Sequence, residues 1–223
     1  MTAAGSGEHM LTTYNIITIE REYGAGGSVI AAKLAERLGW KLYDQQLTAD
    51  IARIAQVDRE TVARCDEQCD PLLYRLAKVF WRGSYERMIP LPDDDRIFDT
   101  DAMVSLAQRL IEDIAKQGPC VFVGRGSPYI LRDRKDHFSV FLYAPRDLKI
   151  RRAMAQKMSA LEATELVDTI DVERATFVKR YFGTTWPTRE LYNLMLNTAC
   201  GYEMSVDLIL QAMETTAAAP LAK

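Results

Sequence analysis

The chain has 223 residues, 48% hydrophobic and 26% charged, with 28 Lys and Arg against 31 Asp and Glu and a formal net charge of -3. That is the balance of one medium globular domain, not of a disordered or fibrous chain, and it argues against a general affinity for nucleic-acid backbones. No apolar stretch approaches the ~20 residues that span a bilayer, so no membrane partner is expected.

The opening "MTAAGSGEHM" lacks the basic and apolar regions of a secretory signal, and residues 1–13 read as a flexible leader. Four cysteines, Cys65, Cys69, Cys120 and Cys200, form no C-x-x-C pair and lie far in sequence from His9 and His137. Reduced thiols in a cytoplasmic protein fit that spacing better than metal ligands or disulfides.

After the leader, "YNIITI" predicts a strand, and Ser28 to Leu38 a helix with Val29, Ile30, Leu34 and Leu38 at helical spacing and Gly39 as its stop. "WKLYD" is a short strand ending at Asp44, and "LTADIARIA" is helical. Residues 58–100 are less regular and read as an excursion over the sheet. The pattern resumes with "DAMVSLAQRLIEDIAKQG", whose Met103, Leu106, Leu110, Ile111 and Ile114 make an apolar face. "CVFVG" and "FSVFLYA" have the length and residue types of buried parallel strands. A mostly helical third follows, then a last strand in "LYNLMLN" and a closing helix in "MSVDLILQAM". Helices alternating with such strands imply an α/β fold with a parallel sheet covered on both faces. The tail "TTAAAPLAK", residues 215–223, is expected to fray.

The informative stretch is "REYGAGGS". Gly24, Gly26 and Gly27 let the chain turn sharply and bring backbone N–H groups toward an anion, and the helix that follows points its positive end to the same place. Against the pattern G-x-x-x-x-G-K-[ST], Arg21 stands at the first glycine, Gly26 fits, Gly27 replaces the lysine and Ser28 fits the metal-binding hydroxyl. Such glycine turns also occur as plain strand-to-helix connections, and the match alone leaves that reading open. Further along, "VFVGRGSPYILRD" sets Arg125 just past a strand's carboxyl end, where ligands sit in open α/β sheets. "RDLKIRRAM" carries Arg151 and Arg152, and Asp171 and Arg174 share a helical face at i, i+3. A basic run of this kind is most often a solvated surface; it is also what a lid closing on phosphate requires.

Taken in order, "ITIEREYGAGGSVIAAKLAERLGWKLYD", "VFVGRGSPYILRD", "VFLYAPRDLKIRR", "DVERATFVKRYFG" and "LYNLMLNT" resemble the cytidylate kinase-like family, relatives of the bacterial nucleoside monophosphate kinases. The resemblance covers most of residues 15–213 and is weakest over 58–100. It implies a P-loop kinase-like three-layer α/β/α fold, with one domain over 14–214, a helical insertion at about 58–100 and a lid at about 155–185. It implies phosphoryl transfer from ATP, with Mg2+, to a nucleoside monophosphate, CMP or dCMP first, and leaves room for a homodimer.

Carried over by position, Gly24, Ala25, Gly26, Gly27 and Ser28 would cradle the donor phosphates, with Ser28 on the metal and Arg151 on the nucleotide. Arg125, Asp171 and Arg174 would serve the transfer, and Asp44 with Arg125 the acceptor; Arg21 is added to the catalytic candidates on its place in the loop, not by family position. Two departures stand out. Gly27 takes the lysine's place, and "G-R-G" replaces "G-R-D", so Gly126 brings no carboxylate. Losing one charge-assisted contact costs about 1.5–3 kcal/mol, roughly tenfold to a hundredfold in rate. The expectation is that Arg21 or a lid arginine supplies the charge. The alternative is a nucleotide-binding sensor or interaction module without kinase activity. A monophosphate oxygen is already anionic, so no catalytic triad is required, and His137 is expected at the surface. Tyr23, Phe80, Trp81 and Tyr85 are candidates for base stacking, with core packing their more frequent use.

Overall fold

The computed structural model describes residues 14–44 and 100–218. Five strands form one parallel sheet: β1 (Ile16–Arg21), β2 (Lys41–Tyr43), β3 (Cys120–Val123), β4 (His137–Tyr143) and β5 (Leu194–Asn197), in the order β2-β3-β1-β4-β5. Between and after them run α1 (Gly27–Leu38), α2 (Thr100–Ala115), α3 (Ser127–Ile130), α4 (Arg146–Met154), α5 (Ala160–Phe182) and α6 (Tyr202–Ala218). The expected α/β class with a parallel sheet and flanking helices is therefore correct. The predicted helix in "LTADIARIA" and the segment 58–99, with Cys65, Cys69, Phe80, Trp81 and Tyr85, lie outside the described residues.

Strand β1 is central, and all six of its residues are buried because helices cover both faces. The period of two along the strand divides its side chains between two cores. Ile16 packs with Phe122, Val104, Ala107, Ile111 and Phe177 on one side. Ile17 and Ile19 pack with Val121, Val123, Val140, Leu142, Ile30, Leu34 and Ile209 on the other. The buried stripe of α2 runs through Val104, Ala107, Ile111 and Ile114, with Leu106 and Leu110 half-buried at its margin. A third, smaller cluster joins α4 and α5 to the loop after β1 through Tyr23, Ala153, Ala163 and Val167.

Two expectations shift. Helix α6 extends through Ala218, so the first four residues of the expected tail are helical. His137 is buried, only 7% exposed, because β4 begins at it and pairs it beside Ile16. Its Nε2 lies 2.7 Å from Thr18 Oγ1, and burial pushes its pKa down to about 4.

Candidate functional site

The loop after β1 leaves the sheet at its carboxyl edge, between β3 and β4. The Glu22 N–H still follows the strand, donating to the Leu142 carbonyl at 2.9 Å, and the Ala25 N–H closes a turn on the Glu22 carbonyl at 3.2 Å. Gly24 (φ 77°) and Gly26 (φ 83°) take the left-handed conformation that a side chain disfavours. Helix α1 then starts with no side-chain cap and no acidic residue in its first turn. An α-helix leaves its first N–H groups without intrahelical partners, and here no carboxylate of the helix itself competes for them. Ser28 is the second helical residue.

One flank of this loop is built from strand ends. The Arg21 side chain runs across the start of α1: a Cβ built on Gly27 would stand 2.7 Å from Arg21 Cγ. Its head reaches the turn after β3, where a Cβ on Gly124 would stand 2.1 Å from Arg21 Nη1. Arg21 is 5% exposed, and Glu20 Oε1 lies 3.6 Å from the same Nη1. Arg125, in the same turn, is also buried and holds φ 63°, a left-handed conformation that is uncommon for a non-glycine residue. Gly126 (φ 69°) has the Phe182 ring over it, 2.5 Å from where a Cβ would sit, and that ring stacks on Tyr129 with centroids 4.8 Å apart. An aspartate at this position, as in "G-R-D", would meet an aromatic ring.

The other flank comes from α4 and α5. The Tyr23 N–H donates to Asp171 Oδ1 at 2.8 Å. Arg174 Nη1 donates to the Arg21 carbonyl at 2.7 Å and to Asp171 Oδ1 at 3.1 Å. Lys149 Nζ donates to Glu22 Oε2 at 2.9 Å and to Asp171 Oδ2 at 3.4 Å. Burial pushes the Asp171 carboxyl up, while Arg174, the Tyr23 N–H and Lys149 pull it down. Beyond them, Arg152 donates to the Ala25 carbonyl (3.2 Å) and to Thr198 Oγ1 (2.8 Å) and lies 4.7 Å from the Tyr202 ring centroid. The Thr198 hydroxyl also donates to the Ala25 carbonyl at 2.8 Å. This flank grips the loop by its carbonyls and its carboxylate.

The sequence model of the cytidylate kinase-like family matches residues 16–199, which take in the loop, both flanks and all five strands. The chain belongs to that family. Among solved structures, an uncharacterized protein from Eubacterium ventriosum is similar, with a TM-score of 0.64 and 20% identity over 90% of this chain and 98% of that one. A gluconokinase from Sinorhizobium meliloti is similar at a TM-score of 0.51 and 16% identity over 92% and 94%. TT1252 from Thermus thermophilus is similar at 0.50 and 20% over 94% and 99%. At such identities the likeness concerns the fold. No curated protein matches the sequence. Family and fold together support nucleotide-dependent phosphoryl transfer in general.

Of the site residues expected in this family member, the fold gathers Arg21, Gly24, Ala25, Gly26, Gly27, Ser28, Arg125, Asp171 and Arg174 around one loop. Asp44 sits just past β2, buried, and its Oδ1 has no hydrogen-bond partner among the described residues. Arg151 is exposed, and its neighbour Arg152 makes the loop contacts. Tyr23 is a core residue between α4 and α5, its hydroxyl 3.7 Å from Met158 Sδ. Lys149, Thr198, Glu20 and Glu22 were not singled out from sequence, and Arg152 was named there only together with Arg151. For Lys149 and Arg152 a signal existed: on one helix they share a face at i, i+3, while Arg151 points about 100° away from Arg152.

Proposed function

We propose that the protein transfers the terminal phosphoryl group of ATP, taken as its magnesium complex, to a nucleoside monophosphate, with CMP and dCMP as the first acceptors to test. The observation that carries this reading is the uncapped start of α1, at the carboxyl edge of the sheet, with the buried guanidinium-bearing residues Arg21 and Arg125 beside it. Anions gather at such helix starts, and phosphoryl transfer asks a protein chiefly for positioning and for positive charge around the spread charge of the transition state.

In this reading the backbone of Gly24 to Ser28 wraps the donor phosphates, and the Ser28 hydroxyl helps hold the magnesium. The metal supplies charge neutralisation across the phosphates when it is bound. Arg125 stands between donor and acceptor. Asp44, with one carboxylate oxygen unpartnered among the described residues, accepts a hydrogen bond from a hydroxyl or amino group of the acceptor. Asp171 and Arg174 set the shape of the loop from behind, and Arg152, in place of Arg151, lies beside the nucleotide. No general base is needed for a monophosphate oxygen.

A second reading, nucleotide sensing without transfer, draws on Gly27 and Gly126, which remove a cation and a carboxylate. The purified full chain with ATP and Mg2+ should convert CMP or dCMP to the diphosphate, seen by chromatography across a panel of nucleoside monophosphates. Stoichiometric ATP binding with no product from any acceptor would replace the kinase by the sensor.

A further inference from the structure

We infer that Arg21 and Gly27 hold, in exchanged positions, the cation and the glycine of a phosphate-binding loop. The pattern G-x-x-x-x-G-K-[ST] puts a glycine at the end of the strand and a lysine at the start of the helix. Here the arginine is at the strand end and the glycine at the helix start. The side chain that in the pattern would leave the helix toward the strand instead leaves the strand and crosses the helix.

The geometry is that of a fitted groove. Cβ, Cγ and Cδ of Arg21 lie 3.3, 2.7 and 3.1 Å from the Cβ position of Gly27, so no side chain fits at Gly27 while Arg21 lies there. At the far end Nη1 and Cζ lie 2.1 and 3.2 Å from the Cβ position of Gly124. Both glycines are thereby explained by one side chain. The neighbouring cations of α4 and α5 take other routes. Arg174 holds the Arg21 carbonyl and Asp171, Lys149 holds Glu22 and Asp171, Arg152 holds the Ala25 and Thr198 oxygens, and Arg151 is exposed. Glu20, 3.6 Å from Nη1, gives the buried guanidinium a counter-charge within the groove. An arginine suits this route because its planar fork can meet two phosphate oxygens at once, where a lysine offers a single point of charge.

The exchange rests on the nucleotide reading above and can be tested apart from it. Replacing Arg21→Gly together with Gly27→Lys writes G-E-Y-G-A-G-K-S, the full pattern. Calorimetric titration of the full chain with AMP, ADP and ATP in Mg2+ should show wild-type affinity rising with each phosphate. Arg21→Ala should lose about tenfold to a hundredfold for ATP and leave AMP binding unchanged. Gly27→Lys alone should lose as much, because two stems then compete for one groove, and the double variant should return to within about tenfold of wild type. Thermal melts accompany each variant. If Arg21→Ala fails to fold, the double variant decides: recovered ATP affinity supports the exchange, and affinity no better than Gly27→Lys overturns it. ATP binding untouched by Arg21→Ala overturns the exchange alone, whereas a wild type that binds none of the three nucleotides overturns the functional reading and the exchange with it.

Discussion

The two flanks of the loop after β1 both bring cations to it, and they seat them differently. On the helical flank, Arg174, Lys149 and Arg152 donate to backbone carbonyls, to carboxylates and to Thr198. On the strand flank, Arg21 lies lengthwise in a channel kept open by Gly27 and Gly124. The difference lies in what each cation is seated on: oxygens of the loop and its surroundings on the helical flank, and on the strand flank a glycine-lined channel with Glu20 Oε1 3.6 Å from the guanidinium. Donors already held by the protein's own oxygens fix the loop's shape, and a phosphate would have to break those bonds to recruit them.

The division can be broken most decisively at Asp171. It accepts from the Tyr23 N–H, Arg174 and Lys149, and its side chain is 18% exposed. Removing one partner of a buried ion pair leaves the others uncompensated, and Asp171→Ala should cost about 3 kcal/mol of unfolding free energy, read from urea midpoints. Asp171→Asn keeps an acceptor for the Tyr23 N–H and should cost less. If Asp171→Ala instead left stability intact and removed only ATP affinity, the helical flank would be facing ligand and the contrast would fail.

Gly126 sharpens the strand flank. Gly126→Asp restores the carboxylate of "G-R-D" but places a side chain at φ 69°, against Phe182. Left-handed strain and overpacking together should destabilise by about 2–3 kcal/mol. Adding Phe182→Ala should make the combined loss smaller than the sum of the two single losses, by removing the ring that collides. A fully additive pair would mean that the ring is not what excludes the carboxylate.

How much of this was legible follows from what each feature depends on. The strands could be read because β1, β3 and β4 are buried on both faces and carry apolar runs at Ile16 and Ile17, Cys120–Val123 and Val140–Leu142. The loop could be read because Gly24 and Gly26 are demanded by local backbone conformation, which a sequence carries directly. The path of Arg21 could not be read, since it depends on how close the end of β1, the start of α1 and the turn after β3 come together, from residues 21, 27 and 124. The pairing of Asp171 with Arg174 was visible as one helical face, but their grip on the loop joins residues 148 and 153 positions apart. His137 misled because "RDRKDHFS" looks like a charged surface turn, and the boundary between turn and strand falls between Asp136 and His137.

That histidine, at the amino edge of the sheet, is the control for the carboxyl edge. Its folded pKa is about 4 against an ordinary 6.5, with burial the largest cause, and its ring faces Thr18 Oγ1 with Asp136, Arg134 and the Leu131 carbonyl nearby. Between those two values the unfolded chain takes up a proton that the folded chain refuses. Its contribution is therefore complete above about pH 6.5 and is lost as the pH falls toward 4, at most about 3 kcal/mol. Urea midpoints at pH 7, 5.5 and 4.5, values within the range where the linkage acts, should decline for wild type and decline less for His137→Gln, which cannot take up that proton. ATP affinity at pH 7 should be the same in both proteins, because the ring lies at the opposite end of β1 and β4 from the loop. Equal slopes in the two proteins would mean that some other group carries the acid sensitivity, and a change in ATP affinity would tie the two edges of the sheet together.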